Sequence, residues 1–474
     1  MNFSNFLLMG QETGLIVVVI ILFFCDIFST GKTAKWFYPL SIILFSILTL
    51  WGFCPKPEGE AFGGIFVTSD MTVLMKNILN IATLLVFLQS YRWLNSKEQS
   101  EEKGEFFIIT LITLLGMYLM VSANNFMMLY IGMETASLPL ACLAAFNKHQ
   151  EKSAEAGVKF ILISALASAV MLFGLSFLYG AMGTLYFNDM SLTVLNNPVT
   201  IFGLVFFLGG LGFKLSLVPF HLWTADVYEG APTSVTAYLS VVSKGAATFA
   251  LIFALFKVFG SMDIVWQNII WWLSVITITL GNLFAIRQKD IKRFFAFSSI
   301  SQAGYILVGI IAYNAQGMTA TVYYILAYVF SNLAAFAVIS AVENQSGKTS
   351  IAAFNGLYKS NPKLTLVMML SVFSLGGIPV CVGFFSKLFI FLAAASAGQY
   401  VLIFIVVLNT VISLYYYLLI ILAMFIKEPE ESAVATFKSD IYNRIGMLIC
   451  VVGILAVGLV SGIYSYINSL NWVI

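Results

Sequence analysis

Three lysines and one glutamate lie where charge is expensive. Lys214 sits near the middle of IFGLVFFLGGLGFKLSLVPFHLW (residues 201–223). Lys244 is central in SVTAYLSVVSKGAATFALIFALF (234–256), and Lys387 lies in the apolar block 365–398 beyond the interruption SLGGIPVCVG. Glu134 belongs to MLYIGMETASLPLACLAAF. At a helix centre in a bilayer, each such charge costs roughly 2.5–3.5 kcal/mol on insertion scales. Residues kept at that cost line polar interiors and mark ion or proton routes. Burial disfavours the charged form of a lysine, and a carboxylate nearby reverses the preference. A lysine is therefore switched between holding and releasing a proton when one negative charge moves relative to it. Glu134 near Lys214 makes such a switch, with Lys244 as a midpoint store and Lys387 as an outlet. Hydroxyls such as Ser298, Ser299, Ser301, Tyr305 and Tyr324, with water, bridge the gaps.

The bland alternative is snorkelling, in which a long side chain bends to the headgroups. Lys214 and Lys244 lie too deep for it. Lys76, near the end of an apolar block, is expected to snorkel. Glu134 has its own alternative, a carboxylate neutralised by a lysine only to hold helices together.

The elements that position these groups follow from composition. The chain has 474 residues, 60% hydrophobic and 10% charged. A soluble globular domain carries about 25% charged residues. With mean hydropathy of +0.95, this is a polytopic membrane protein. Net charge is +2, which gives no footprint for nucleic acid. The five cysteines form no C-x-x-C pair, and two histidines are too few for a metal cage. The chain is therefore expected to carry no redox cofactor or metal of its own. The segment 14–28 follows a leader with Glu12 and no basic region, so it reads as a first span rather than a cleaved signal.

Apolar blocks long enough to cross ~30 Å of hydrocarbon centre near Val19, Ile43, Ala82, Leu114, Tyr130, Val170, Gly212, Gly245, Val275, Ile306, Tyr328, Phe373, Ile412 and Ile454. This predicts an all-α protein of about fourteen transmembrane helices. SANN (122–125) splits the fourth and fifth. Loops after spans 1, 3, 5, 9, 11 and 13 hold eighteen of the 24 basic residues, Lys32, Lys97, Lys292 and Arg293 among them, against two on the opposite side. The excess predicts that both termini lie outside.

Two spans are broken. Pro219 cannot donate to the carbonyl of Leu215, next to Lys214. Gly376, Gly377, Pro379 and Gly383 interrupt span 12 ahead of Lys387. Unwound backbone at membrane depth survives only where protein or water satisfies it. Broken helices at corresponding places in two halves indicate an inverted repeat with the transport site at the breaks. The halves are spans 4–8 and 9–13, with broken helices 7 and 12. One membrane domain (1–474) divides into three N-terminal helices (1–104), a first repeat (105–260), a second repeat (261–426) and a C-terminal loop and helix (427–474).

The stretch GFKLSLVPFHLWTADVYEGAPTSVTAYLSVVSK (212–244) resembles the signature of the antiporter-like membrane subunits of respiratory complex I, the NADH-quinone oxidoreductase. ETASLPLACLAAFNKHQEKSAEAGVKFILISALASAVMLFGLSFLYGAMGT, RFFAFSSISQAGYILVG and SLGGIPVCVGFFSKLFIF resemble one branch of that family. The resemblance implies a proton-translocating subunit coupled to quinone reduction elsewhere, in a bacterial inner membrane. Its functional positions map onto Glu134, Lys214, Lys244 and Lys387. Related subunits often carry histidine where this chain has Gln302, and glutamine holds a water wire without taking a proton. His221, at the end of the broken span, is a candidate on the uptake side, or simply a histidine at a helix end. Tyr305 is a further candidate. Asp226 and Glu229 read as solvated loop acids, and His149 as surface. The resemblance implies further antiporter-like subunits and the lipid bilayer as partners. NADH, flavin, iron–sulfur clusters and quinone are expected in partner subunits. The alternatives are a subunit of a multi-subunit sodium/proton antiporter, sharing the lysines without quinone chemistry, and a structural scaffold with a defunct channel.

Overall fold

The computed structural model describes residues 3–28, 35–96, 102–194, 196–428 and 435–470. The predicted loop residues Lys32 and Lys97 lie outside the described residues. Among those described, twelve helices are long and apolar enough to cross a membrane. They are spans 1 (Gly10–Phe28), 3 (Asp70–Gln89), 4 (Lys103–Val121), 5 (Phe126–Ala144), 6 (Glu151–Met182), 7 (Pro198–Leu215), 8 (Thr233–Lys257), 9 (Gly260–Ile286), 10 (Ile291–Ile311), 11 (Ala315–Ser346), 13 (Tyr400–Phe425) and 14 (Ile441–Leu459). The shorter apolar helix Phe37–Gly52 is span 2, and the pair Pro362–Gly376 and Val382–Ser396 forms span 12. Each predicted centre falls inside one of these fourteen spans.

Local chemistry explains the boundaries. Asn125 accepts a hydrogen bond from Met127 N and starts span 5 four residues after span 4 ends. Asp290 accepts from Lys292 N and Arg293 N and starts span 10. Lys292 and Arg293, predicted in the loop, are therefore in the first turn of a helix. Spans 4 and 5 pack through small residues. A Cβ on Gly116 would meet Ala136 N at 2.4 Å, so only glycine permits this approach.

Spans 8, 10 and 11 form the central axis. Their apolar windows are 94%, 100% and 94% buried, against 28% for span 1 and 33% for spans 6 and 13. The peripheral helices show apolar side chains outward, as a lipid-facing surface requires. A short antiparallel hairpin, β1 (Gly59–Ala61) and β2 (Phe66–Thr68), covers one end of the bundle. It is tied to the turn between spans 4 and 5 by Val67 N to Ser122 O and Asn124 N to Ile65 O.

Span 7 ends at Ser216, whose φ of 60° closes the helix in the left-handed region, and the short helix Leu222–Gly230 follows. Span 12 breaks in the same manner at Gly377, with φ of 87°. Both breaks stand where Pro219 and the Gly376–Gly377 pair predicted them. Span 8 has an irregularity the sequence does not announce, a π-helical turn at Leu239–Ser243 immediately before Lys244.

Lys76 corrects the expectation of snorkelling. It is 1% exposed, and its Nζ lies 2.6 Å from Oε1 of Glu12. The counter-ion comes from the first turn of span 1, so the ammonium has no reason to reach for the headgroups.

Candidate functional site

The three intramembrane lysines point inward. Lys214, Lys244 and Lys387 are 3%, 3% and 4% exposed, and each amine is hydrogen-bonded within the protein. Each also stands where the backbone departs from the α-helix. Lys214 lies in the last turn of the first half of span 7, where the unpaired carbonyls favour a cation. Lys244 follows the π-turn of span 8, an irregularity that recurs at functional sites. Lys387 lies on the second half of span 12, and its Nζ donates to Leu375 O at 2.9 Å and Gly376 O at 3.1 Å. Those carbonyls end the first half of the same span.

Around Lys214, the ammonium donates to Ser137 Oγ at 2.5 Å. Ser137 is one turn beyond Glu134 on span 5. Glu134 itself accepts from Ser168 Oγ on span 6. The carboxylate is within electrostatic reach of Lys214. Among the described residues, however, it makes no direct ion pair with it; Ser137 accepts from the ammonium and itself donates to Met133 O at 2.6 Å.

Around Lys244, Nζ donates to Ser299 Oγ of span 10 at 2.8 Å and lies 5.7 Å from the Tyr228 ring. The hydroxyls of Tyr228 and Tyr328 are buried without a hydrogen-bond partner. Such groups are where water is expected to bind. Tyr328 of span 11 also lines a polar cavity of about 10 Å³ with Gln302, Tyr324, Ser331, Ser374 and Lys387. That is close to the space one water needs.

Gln302 occupies the middle of this group. It accepts from the Tyr324 hydroxyl and donates through Nε2 to the Tyr417 hydroxyl at 3.1 Å. Ser298 Oγ is 2.5 Å from the same Tyr417 oxygen. The Tyr305 ring lies 4.8 Å from Lys387 Nζ, while its hydroxyl accepts from Thr410 at 3.2 Å. Tyr305 thus offers the amine its ring face and not its oxygen.

Of the predicted residues, the structure brings together Lys244, Ser299, Gln302, Tyr324, Tyr305 and Lys387, and separately Glu134 and Lys214. No side-chain hydrogen bond among the described residues joins Lys214 to Lys244. His221 is buried beside the span 7 break with Nδ1 unpartnered, and it shares no hydrogen bond with the lysines. Sequence reasoning missed Ser137, Ser168, Tyr228, Tyr328 and Tyr417. These residue types are common in membrane helices, and only their placement gives them meaning.

Asp226 and Glu229 correct another expectation. They lie on the helix Leu222–Gly230, not in a loop, and both are ion-paired. Arg293 Nη1 is 2.8 Å from Asp226 Oδ1 and 2.8 Å from Glu229 Oε2. Lys159 adds 2.6 Å to Asp226, and Lys152 adds 2.7 Å to Glu229. Partial burial alone would raise these carboxyls. Hydrogen bonds from Lys159 and Arg293 hold Asp226 below its ordinary value, and those from Lys152 and Arg293 do the same for Glu229. The cluster ties span 6 and span 10 to the helix that follows the break. His149 is exposed, as expected.

Among the described residues no group of three or more His, Cys, Asp or Glu is placed to hold a metal ion.

Comparison with known proteins places the chain in a family. Residues 123–413 match the family described as NADH:quinone oxidoreductase/Mrp antiporter, TM. NADH-quinone oxidoreductase subunit N of Azobacteroides pseudotrichonymphae is 62% identical over 475 aligned positions, covering 100% of this chain and 99% of that one. A chain of respiratory complex I from Thermus thermophilus superposes with a TM-score of 0.81 at 30% identity, covering 97% of this chain and 100% of that one. A chain of the Mrp complex from Dietzia shares the fold alone, at a TM-score of 0.83 and 20% identity over 99% of this chain and 96% of that one. This chain belongs to the family of transmembrane subunits found in NADH:quinone oxidoreductases and Mrp antiporters.

Proposed function

We propose that this chain is an antiporter-like membrane subunit of an NADH-quinone oxidoreductase and carries protons across the bilayer through Glu134, Lys214, Lys244 and Lys387. The observation that carries this reading is the position of the three amines. Each is buried, hydrogen-bonded to protein and seated at an interruption of the helical backbone. Lipid-facing lysines would be free of such partners.

The relay works by charge. A proton is held on an amine while a carboxylate or carbonyl dipole stabilises it. It leaves when that stabilisation is withdrawn. Movement of Glu134 relative to Ser137 and Lys214 is the first such event. Lys244 receives the proton across a gap that water and the unpartnered Tyr228 hydroxyl bridge. Tyr328, Gln302 and Tyr324 lead from Ser299 to the one-water cavity and Lys387. Gln302 orients these hydrogen bonds and takes no proton itself. His221 serves the uptake side, near the break of span 7.

Moving one proton outward against 100 mV costs ~2.3 kcal/mol. NADH, flavin, iron–sulfur clusters and quinone in partner subunits supply that energy. Further antiporter-like subunits adjoin this one in the membrane. The excess of basic residues at one end supports an orientation with both termini on the outer side of a bacterial inner membrane. The chain comprises the repeats 105–260 and 261–426, each with its fourth helix broken, flanked by 1–104 and 427–474.

Full-length identity of 62% with an oxidoreductase subunit favours this reading over the sodium/proton antiporter, whose solved relative shares only the fold. The test is proton pumping by the assembled complex in vesicles, followed by dye quenching. Lys214→Ala and Glu134→Ala are expected to lower pumping and quinone reduction together. Near-normal pumping in both would remove these residues from the route.

A further inference from the structure

A second buried charge pair lies away from this relay. Thr72, Lys76, Asn80 and Thr83 are spaced four, four and three apart on span 3, and so share one face. Lys76 meets Glu12 there at 2.6 Å, with both side chains 1% exposed. The rings of Phe66 and Tyr118 lie 5.1 and 5.8 Å from the ammonium. A buried pair that serves stability alone needs its remaining lone pairs satisfied by further hydrogen bonds. Here, apart from the Lys76 contact, neither carboxylate oxygen of Glu12 has a partner, and Asn80 Nδ2 and Ser122 Oγ on the adjoining helices are also unpartnered.

Polar groups continue from the pair in both directions. Inward, the Tyr118 hydroxyl donates to Asn80. Further along span 4, Thr113 Oγ1 lies 2.8 Å from the Tyr238 hydroxyl, which also lies against Thr83. Tyr238 is the residue before the π-turn that ends at Lys244. Outward, Thr72 and Ser122, one turn from Lys76 and Tyr118, line a cavity of about 220 Å³ with Lys257 at its rim.

The geometry points to Glu12 and Lys76 as a proton-holding site on an outlet from Lys244, through Tyr238, Thr113, Thr83 and the Tyr118–Asn80 pair to the Thr72–Ser122 cavity. The inference rests on the relay proposed above. A proton reaching the Glu12 carboxylate forms its O–H bond and leaves a neutral acid beside an unpaired ammonium. Departure of that proton to water in the cavity breaks the O–H bond and restores the ion pair.

The experiment uses the assembled complex in vesicles, with pumping read by dye quenching and assembly by native electrophoresis. Replacing both charges (Glu12→Gln with Lys76→Met) keeps the volume and removes the titration. A merely structural pair tolerates joint neutralisation, because no charge is left uncompensated. The proposal expects an assembled complex whose pumping falls about a hundredfold, the lower end of the range general acid–base groups contribute. Thr113→Val with Tyr238→Phe removes two hydroxyls with shape retained, and is expected to slow pumping as well. If the neutralised variant fails to assemble, the hydroxyl variant decides between the outlet and a structural pair. Wild-type pumping in either assembled double variant overturns the outlet. Lys244→Ala run in parallel separates the two ideas. Loss there with wild-type pumping in the double variants rejects only the outlet, and wild-type pumping in Lys244→Ala rejects the relay itself.

Discussion

Lys387 Nζ closes the break in span 12 by donating to Leu375 O at 2.9 Å and Gly376 O at 3.1 Å. One amine thus satisfies two helix-end carbonyls and is also the titratable group. Structural and protonic roles separate by substitution. Lys387→Met leaves Gly376 O without its donor and Leu375 O with only the 3.4 Å bond from Gln302 Nε2, and is expected to cost about 1–3 kcal/mol if Gly376 O finds no water. Lys387→Gln retains a donor. It should keep the melting temperature of the assembled complex near wild type while pumping falls. Equal melting losses in both variants would remove the donor role.

Gly383 offers a test of the same break from the backbone side. A Cβ there would stand 1.8 Å from Ser374 O, and Gly383 N donates to Ser374 Oγ at 3.0 Å. Gly383→Ala therefore forces the two halves of span 12 apart. Overpacking of this kind costs about 1–3 kcal/mol. The expected outcome is a lower melting temperature with reduced pumping. Unchanged values would mean the halves are not held at this separation.

Ser137 stands one turn from Glu134 on span 5 and accepts from the Lys214 ammonium. Ser137→Ala removes the Lys214 hydrogen bond at 2.5 Å and should slow pumping several-fold, about 1 kcal/mol in barrier height. Ser137→Thr keeps the hydroxyl and should restore most of the rate. Rate measurements on the two variants at equal complex content decide the point.

The Asp226–Glu229 cluster predicts an acid limb of stability. Both carboxyls are held below their ordinary values by Lys159, Lys152 and Arg293. Their unfolded counterparts titrate near ~4. The stability they contribute is present above that value and is lost as pH falls through the lower, folded values. Asp226→Asn with Glu229→Gln should flatten this limb in melting curves taken from neutral to strongly acidic pH. A limb of unchanged steepness would assign the acid sensitivity elsewhere.

How much of this was legible depended on local signal. Lys214, Lys244 and Lys387 announce themselves as charges inside apolar blocks, and Pro219 and Gly376–Gly377 announce the breaks beside two of them. The Glu12–Lys76 pair does not. Both residues lie near span ends, where a charge is unremarkable, and 64 positions of sequence separate them. Only packing of span 1 on span 3 shows that they meet. Ser137 and Tyr328 carry no signature, since serine and tyrosine abound in such helices. Asp226 and Glu229 read as solvated because their partners come from spans 6 and 10. Nothing in LSVVS (239–243) predicts a π-turn.

That turn has a mechanical consequence. It holds one residue more than the α-helical screw requires, midway along a rod whose two ends are fixed by neighbours. Passing the surplus residue up or down one position would rotate the side chain beneath it by about 100° without unwinding either end. The ammonium of Lys244 hangs from the residue directly below, so such a shift would turn the central charge of span 8.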